Sequence, residues 1–422
     1  MAGALQGIKV LDCTQIIAGP LAASLLSEMG AEVVKVEPLE GEPWRLQAEI
    51  IPKESKGFLT QNRGKLGMAV DFKNPASAPI REALLGWADV LLTNYRQDAA
   101  EALGLTYEHA RKVNPSIIAC DVTAFGQKGP DANRRGYDII AQAMSGLAHS
   151  NPNIVDGLPM QIAFAPSDVV TGTALAWAIT AALYHRERTG EGQSVSVSLL
   201  LTSLFLQAGS REVVALDGDA RQHWLDVLAA ARERGASITE ITAERRAMMP
   251  ELAGNIYYRP YQTADGYIAI GCLGPRPRER FREALDVHDP RFEADFDRSP
   301  DNLRKVGREL VVECETKFKT RATTDWVDYL TVGGIPCGPF RFVEELWTDP
   351  QVEANGYLTE YDHSLLGPLR GPVPIVQMSV TPTAVQRASP ALGEHTDSIL
   401  ASLGFTPERI AALHQDGVIG GG

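Results

Sequence analysis

The sequence is poor in cysteine, carries no excess of positive charge, and has no long apolar run. Its five cysteines, Cys13, Cys120, Cys272, Cys314 and Cys337, are scattered, odd in number, and never in Cys-x-x-Cys spacing. That argues against a disulfide framework or a structural zinc site, and a reducing, cytoplasmic setting is expected. Lys and Arg number 40 against 53 Asp and Glu, a formal charge of −13. Such a balance disfavours nucleic-acid or anionic-membrane surfaces and leaves room only for a local basic pocket. No apolar run reaches the roughly 20 residues that span a bilayer, and Thr173 to Tyr184 reads as a buried helix instead. The opening residues do not read as a secretory signal, because Lys9, Asp12 and Gly19-Pro20 interrupt them. Two phosphate-binding fingerprints are also missing, Gly-x-Gly-x-x-Gly and Gly-x-x-x-x-Gly-Lys-Ser/Thr.

What is present is an ordinary globular composition, 44% hydrophobic and 22% charged, over 422 residues. That length predicts two domains. Gly7 to Thr14 reads as a strand, Gly19-Pro20 as a break, Leu21 to Met29 as a helix, and Glu32 to Glu37 as a second strand. Further strands are expected at Gly67 to Asp71, Ala88 to Thr93, Ser116 to Thr123 and Ser194 to Ser198. Strands alternating with helices predict a doubly wound α/β fold, a mostly parallel, Rossmann-like sheet covered on both faces. Ligands of such sheets bind beyond the carboxyl ends of the strands. Gln15, Asn94-Tyr95-Arg96 and the loop from Lys128 to Tyr137 fall at those ends.

The expected organisation is a large α/β domain over 1–210, a helical connector over 211–250, and a smaller α+β domain over 251–345. A linker and C-terminal segment, 346–422, returns to the large domain. Within the small domain, Ala264-Asp265-Gly266 is a hairpin cue between β-rich runs. The closing residues Gly420 to Gly422 read as disordered.

Chemistry concentrates on Ala165-Pro166-Ser167-Asp168, which leads into an apolar helix ending at Arg186-x-Arg188-Thr189-Gly190. Pro166 with Ser167 or Asp168 is a helix-start signal, and Gly190 a stop. Asp168 is thus either an N-cap or a carboxylate held at a helix start, where the dipole favours negative charge. A carboxylate of ordinary pKa, about 3.9, is ionised at neutral pH and needs no general base. The first-turn N–H groups are candidate oxyanion donors.

Asp168-x-x-x-Gly172, followed by an Ala-rich helix and Arg-x-Arg-Thr-Gly-Glu-Gly-Gln, resembles the active-site stretch of the class III coenzyme A transferases, the formyl-CoA and carnitine–CoA transferase type. Similar strings extend over the chain in the same order: Gly7-Ile8-Lys9-Val10-Leu11-Asp12, Gly30 to Pro38, Ala88 to Arg96, Gly136-Tyr137-Asp138, Gln142 to Gly146 and Gly393-Glu394-His395-Thr396. The resemblance implies transfer of coenzyme A from an acyl-CoA thioester to a carboxylic acid, without ATP. It makes Asp168 the nucleophile that passes through a mixed anhydride and an aspartyl-CoA thioester.

By position it implies that Gln15 and Ala18 line the thioester end of coenzyme A. Lys65 and Arg96 would meet its phosphates, with Asn94 and Tyr95 beside them, and Arg135 and Tyr137 would sit near pantetheine or pyrophosphate. It implies no permanently bound cofactor, no metal, and an interlocked homodimer. His185 and His395 are read as structural. One departure is that Gly254 to Pro260 lacks the glycine run that covers some formyl-CoA transferase sites. The alternatives are an acyl-CoA racemase of the same fold, disfavoured by Tyr137 where those enzymes carry a His, and a non-catalytic CoA-binding subunit, disfavoured by Asp168.

Overall fold

A computed structural model describes residues 2–150, 153–207, 218–248 and 254–421. The chain divides into two compact units. One comprises 1–155, 159–214 and 354–422; the other comprises 156–158 and 215–353.

The first unit is built on six parallel strands: β1 (Lys9–Cys13), β2 (Glu32–Glu37), β3 (Leu66–Val70), β4 (Val90–Thr93), β5 (Ile118–Thr123) and β6 (Ser194–Ser198). A short seventh, β7 (Ile419–Gly420), joins β3 antiparallel. Gly420, expected in a disordered tail, is therefore part of the sheet. The spatial order is β6-β5-β4-β1-β2-β3-β7. The six parallel strands follow the 3-2-1-4-5-6 order of doubly wound sheets, and the order reverses between β1 and β4.

Strand composition explains the burial. Alternate residues point to opposite faces. Leu11, Val34 and Leu91 join one core with Ile80 and Leu84 of the helix Ala78–Trp87 and with Leu400 and Leu413 of the C-terminal helices. Val10, Val33 and Leu92 join the other core with Ala22 and Leu26 of α1 (Ala18–Glu28). Both faces are covered, so these strands read as nearly continuous apolar runs. Gly19-Pro20 does not break the chain. It lies in the first turn of α1, where proline gives up no hydrogen bond.

Three further helices frame the site: α2 (Asp138–Ser145), α3 (Pro166–Thr189) and α4 (Leu199–Phe205). α3 packs across α1, and Gly172 sets the approach. A Cβ there would lie 2.6 Å from the Ala18 carbonyl oxygen.

In the second unit, Tyr258–Gln262, Tyr267–Gly271 and Cys337–Pro339 form an antiparallel sheet with the hairpin at 263–266. Its core joins Phe281 and Trp326 to a stacked Tyr261–Phe318 pair with ring centroids 4.4 Å apart. Tyr258 and Pro260, where the missing glycine run was sought, belong to this sheet. The helices Ala220–Glu233 and Ile238–Ala247 also belong to this unit, and 211–217 and 249–250 of the expected connector lie outside the described residues. Among the described residues no helix is long and apolar enough to cross a membrane.

Candidate active site

The strand-order reversal opens a cavity of about 1090 Å³ beyond the carboxyl ends of β1, β4 and β5. Its lining includes Gln15, Ala18, Asn94, Tyr95, Arg96, Arg135, Tyr137 and Asp168. All the expected site residues therefore meet here except Lys65. Lys128 and Arg134 also reach the cavity, so Arg96, Lys128, Arg134 and Arg135 all line it, together with Glu101, Glu108 and Asp121.

Lys65 is the correction. It is fully buried, donating to Asp12 Oδ2 at 2.8 Å, Asn62 Oδ1 at 2.7 Å and the Pro20 carbonyl at 2.9 Å. All three ammonium protons are used, and none is left for a ligand phosphate. Burial drives the Asp12 carboxyl upward, but Lys65 and then Lys35 outweigh it and hold it at about 2. Burial takes Lys65 down to about 8 against the pull of Asp12.

Register explains how the ends of β1 and β4 cooperate. Cys13 pairs with Thr93, so Gln15 and Asn94 leave the sheet side by side. Asn94 then clamps the Gln15 backbone, accepting from its N–H at 3.0 Å and donating to its carbonyl at 2.8 Å. Arg96 is exposed and holds Asp98 at 2.9 Å. Tyr95 is half-buried, and burial pushes its phenol up.

Asp168 lies in the first turn of α3 and is 8% exposed. It is not the cap. The helix starts at Pro166, preceded by Phe164 and Ala165 in left-handed conformations (φ 65° and 48°). The cap comes from another helix. Asp138 Oδ1, at the start of α2, accepts from the Ser167 N–H at 2.8 Å and the Asp168 N–H at 3.3 Å. The Val169 N–H reaches the Ala165 carbonyl, and Pro166 has none. The first turn of α3 therefore has no spare donor for an oxyanion, contrary to the sequence expectation.

Burial, and secondarily the neighbouring Asp138 charge, raises the Asp168 carboxyl from 3.8 to about 7. This overturns the expectation of an ordinary, fully ionised carboxylate. Removal from water disfavours its charged form, and a like charge adds to that.

The donors that α3 lacks occur on α1. The Ile17, Ala18 and Gly19 N–H groups have no hydrogen-bond partner among the described residues, and no side chain caps this helix. Ile17 and Ala18 line the same cavity as Asp168.

Sequence reasoning missed Asp138 as a cap, because the pairing spans thirty residues and two helices. It also missed Asp121, a half-buried carboxyl on the cavity wall, raised by burial and bonded to Gln127. His395 accepts from the Gly67 N–H at 3.2 Å, a structural contact, and His185 sits on an exposed helix end beside Glu191. No histidine lines the cavity among the described residues.

The sequence matches CoA-transferase family III over residues 5–396. It is 31% identical over 420 residues to succinyl-CoA:glutarate CoA-transferase of Homo sapiens, covering 98% of this chain and 90% of that protein. It is 32% identical to succinate–glutarate CoA-transferase of Agrobacterium fabrum (96% and 97% covered). Identity to formyl-CoA:oxalate CoA-transferase of Rhodopseudomonas palustris is 30%, with 99% and 97% covered. Among solved structures, a CAIB/BAIF family protein from Brucella suis superposes with a TM-score of 0.74 at 26% identity, covering 96% of this chain and all (100%) of the other. The chain belongs to CoA-transferase family III, whose named members pass coenzyme A between acyl-CoA thioesters and carboxylic acids.

Proposed function

We propose that this enzyme transfers coenzyme A by covalent catalysis at Asp168, without ATP. The supporting observation is a buried carboxylate, Asp168, in a cavity that also holds Arg96, Lys128 and Arg135 and is lined by Ile17 and Ala18, whose N–H groups are unbonded among the described residues. In its ionised form Asp168 attacks the acyl-CoA carbonyl carbon. The C–S bond breaks, the CoA thiolate leaves, and an aspartyl-acyl anhydride forms. The thiolate attacks the aspartyl carbonyl, the anhydride C–O bond breaks, and the donor acid departs as its carboxylate. An acceptor carboxylate then attacks the aspartyl-CoA thioester and expels the thiolate. That thiolate takes the acyl carbon of the second anhydride and returns Asp168 as a carboxylate. Every intermediate keeps one activated carbonyl, as an anhydride or a thioester, so no other energy source is needed.

Each tetrahedral intermediate needs donors aimed at its oxygen, and the Ile17 and Ala18 N–H groups are assigned this role. Arg96 and Arg135 are assigned to the CoA phosphates, Gln15 to the thioester end, and Asn94 to holding Gln15. Tyr95 and Tyr137 border the chain of the pantetheine. A raised pKa makes Asp168 a stronger nucleophile once ionised, at the cost of a smaller ionised fraction at neutral pH. The names of the succinate and glutarate relatives point to small dicarboxylic acids as donor and acceptor, and that of the formyl-CoA:oxalate relative to a small dicarboxylic acceptor.

We also assign a homodimer as the working unit. The middle of α3 is largely apolar, and Trp177 is 75% exposed, with Tyr184 and Val169 exposed on the same helix and Leu201 on α4. Apolar exposure on this scale marks an association surface.

The test is a screen of acyl-CoA donors against carboxylic acids by mass spectrometry. With donor present, hydroxylamine should add mass to the peptide holding Asp168. Transfer without modification there overturns the mechanism, and absence of transfer with every acid pair overturns the activity.

A further inference from the structure

The segment that presents Gln15, Ile16, Ile17 and Ala18 to the cavity is strained. Ile16 has φ 74°, a left-handed conformation that a β-branched residue rarely adopts. Such strain persists only where surrounding groups over-determine it. Here the surrounding groups are charged and buried.

Asp12 Oδ1 accepts from the Thr14 N–H at 2.9 Å and from its hydroxyl. The Thr14 carbonyl accepts from Lys35 Nζ at 2.8 Å. Lys35 pairs with Glu42 at 3.1 Å, and both side chains are fully buried. The other oxygen of Glu42, Oε2, accepts from the Ile16 N–H at 2.6 Å. Strand register makes this chain of contacts possible by setting Asp12 beside Lys35. Gly19 closes the turn, since any side chain there would strike that of Thr14. Polar groups from Thr14 to Ile16 are thus fixed one after another, while the next three N–H groups are left unbonded.

We infer that Glu42, held by Lys35, is a positioning residue. It fixes Ile16 in its left-handed conformation and so aims the Ile17 and Ala18 N–H groups into the cavity. Neither Glu42 nor Lys35 lines the cavity. The inference rests on the proposed role of those N–H groups in transfer, and predicts an effect on turnover separate from CoA binding.

The test compares Glu42→Gln, Ile16→Gly and the double variant in the full-length protein. Glycine adopts positive φ without penalty, so a chain with Gly at 16 no longer depends on Glu42. Glu42→Gln leaves one oxygen to serve both Lys35 and the Ile16 N–H. It is expected to lower kcat about 10-fold with the Kd of free CoA, by calorimetry, within about twofold. The double variant should return to within about threefold of Ile16→Gly alone. Hydrogen exchange resolved to single amides supplies a readout independent of activity. In the wild type the Ile16 amide should be protected and the Ile17 to Gly19 amides not, and Glu42→Gln should release Ile16. Unchanged kcat and unchanged exchange in Glu42→Gln, or simple addition of the two single losses in the double variant, overturns the inference. A wild type that transfers no CoA overturns the proposed activity instead, and the exchange measurement still decides what Glu42 holds. Should Glu42→Gln fail to fold, an unprotected Ile16 amide in the wild type is the overturning result.

Discussion

Asp138 caps the helix that carries Asp168: its carboxylate accepts the Asp168 N–H at 3.3 Å while its charge helps to raise the Asp168 carboxyl. One side chain thus both orders the helix start and makes its neighbour harder to ionise. Burial remains the larger cause of that rise.

Activity should therefore fall on the acid side of neutrality. With the free-enzyme carboxyl at about 7, kcat/KM is expected to rise with pH through that value and then level. Asp138→Asn keeps an oxygen for the two N–H groups and removes the charge, so the acid limb should shift to lower pH. A limb near 4 in the wild type would contradict this.

Asp168→Asn should fold and lose at least about 10³-fold in kcat, as expected for a missing nucleophile. The folded carboxyl at about 7 lies above its ordinary 3.8. The folded state therefore binds the extra proton, and its relative advantage, full below 3.8, is lost as pH rises to 7. The variant escapes this penalty, which at ~3 pKa units is at most about 4 kcal/mol. Its Tm at pH 8 should equal or exceed that of the wild type, with the difference shrinking at pH 5.

Lys65→Met should act on stability and leave substrate recognition alone. Removing one partner of a buried ion pair costs about 3–5 kcal/mol, read as a lower denaturation midpoint. CoA affinity of the folded fraction should stay within about twofold, the size expected for a residue that makes no ligand contact. Asp12, held at about 2 against an ordinary 3.8, contributes stability above 3.8 that is lost as pH falls towards 2.

Arg96→Ala and Arg135→Ala should each raise KM for acyl-CoA by about 5- to 30-fold, the loss of one charge-assisted contact. Their kcat should change little. Added salt should weaken the wild type more than either variant.

Trp177→Glu should lower the mass measured by sedimentation to that of one chain. A charge at the centre of an apolar association surface is left without solvent or a partner, a cost of several kcal/mol. Retention of a dimer would remove α3 from the interface.

Much of the fold was legible in the sequence for a simple reason. Strands buried on both faces must be apolar at nearly every position, so Gly7 to Thr14 and Glu32 to Glu37 stood out, and their alternation with helices fixed the parallel class. The cavity residues were legible because strand ends follow from strand positions: once the strands are located, Gln15 and Asn94 must sit at their carboxyl ends. Family likeness singled out Asp168 within its helix start.

The sequence by itself determined the six parallel strands, the hairpin at 264–266 and most of the residues that meet at the cavity. Only the tertiary structure decided what state those residues are in. Lys65 reads as a phosphate-binding cation until the fold buries it beside Asp12, and Asp168 reads as an ordinary carboxylate until the fold takes away its water and brings up Asp138. Composition records a charge. Its solvation and its neighbours come from segments far apart in the chain, and those two set the energy of the charge.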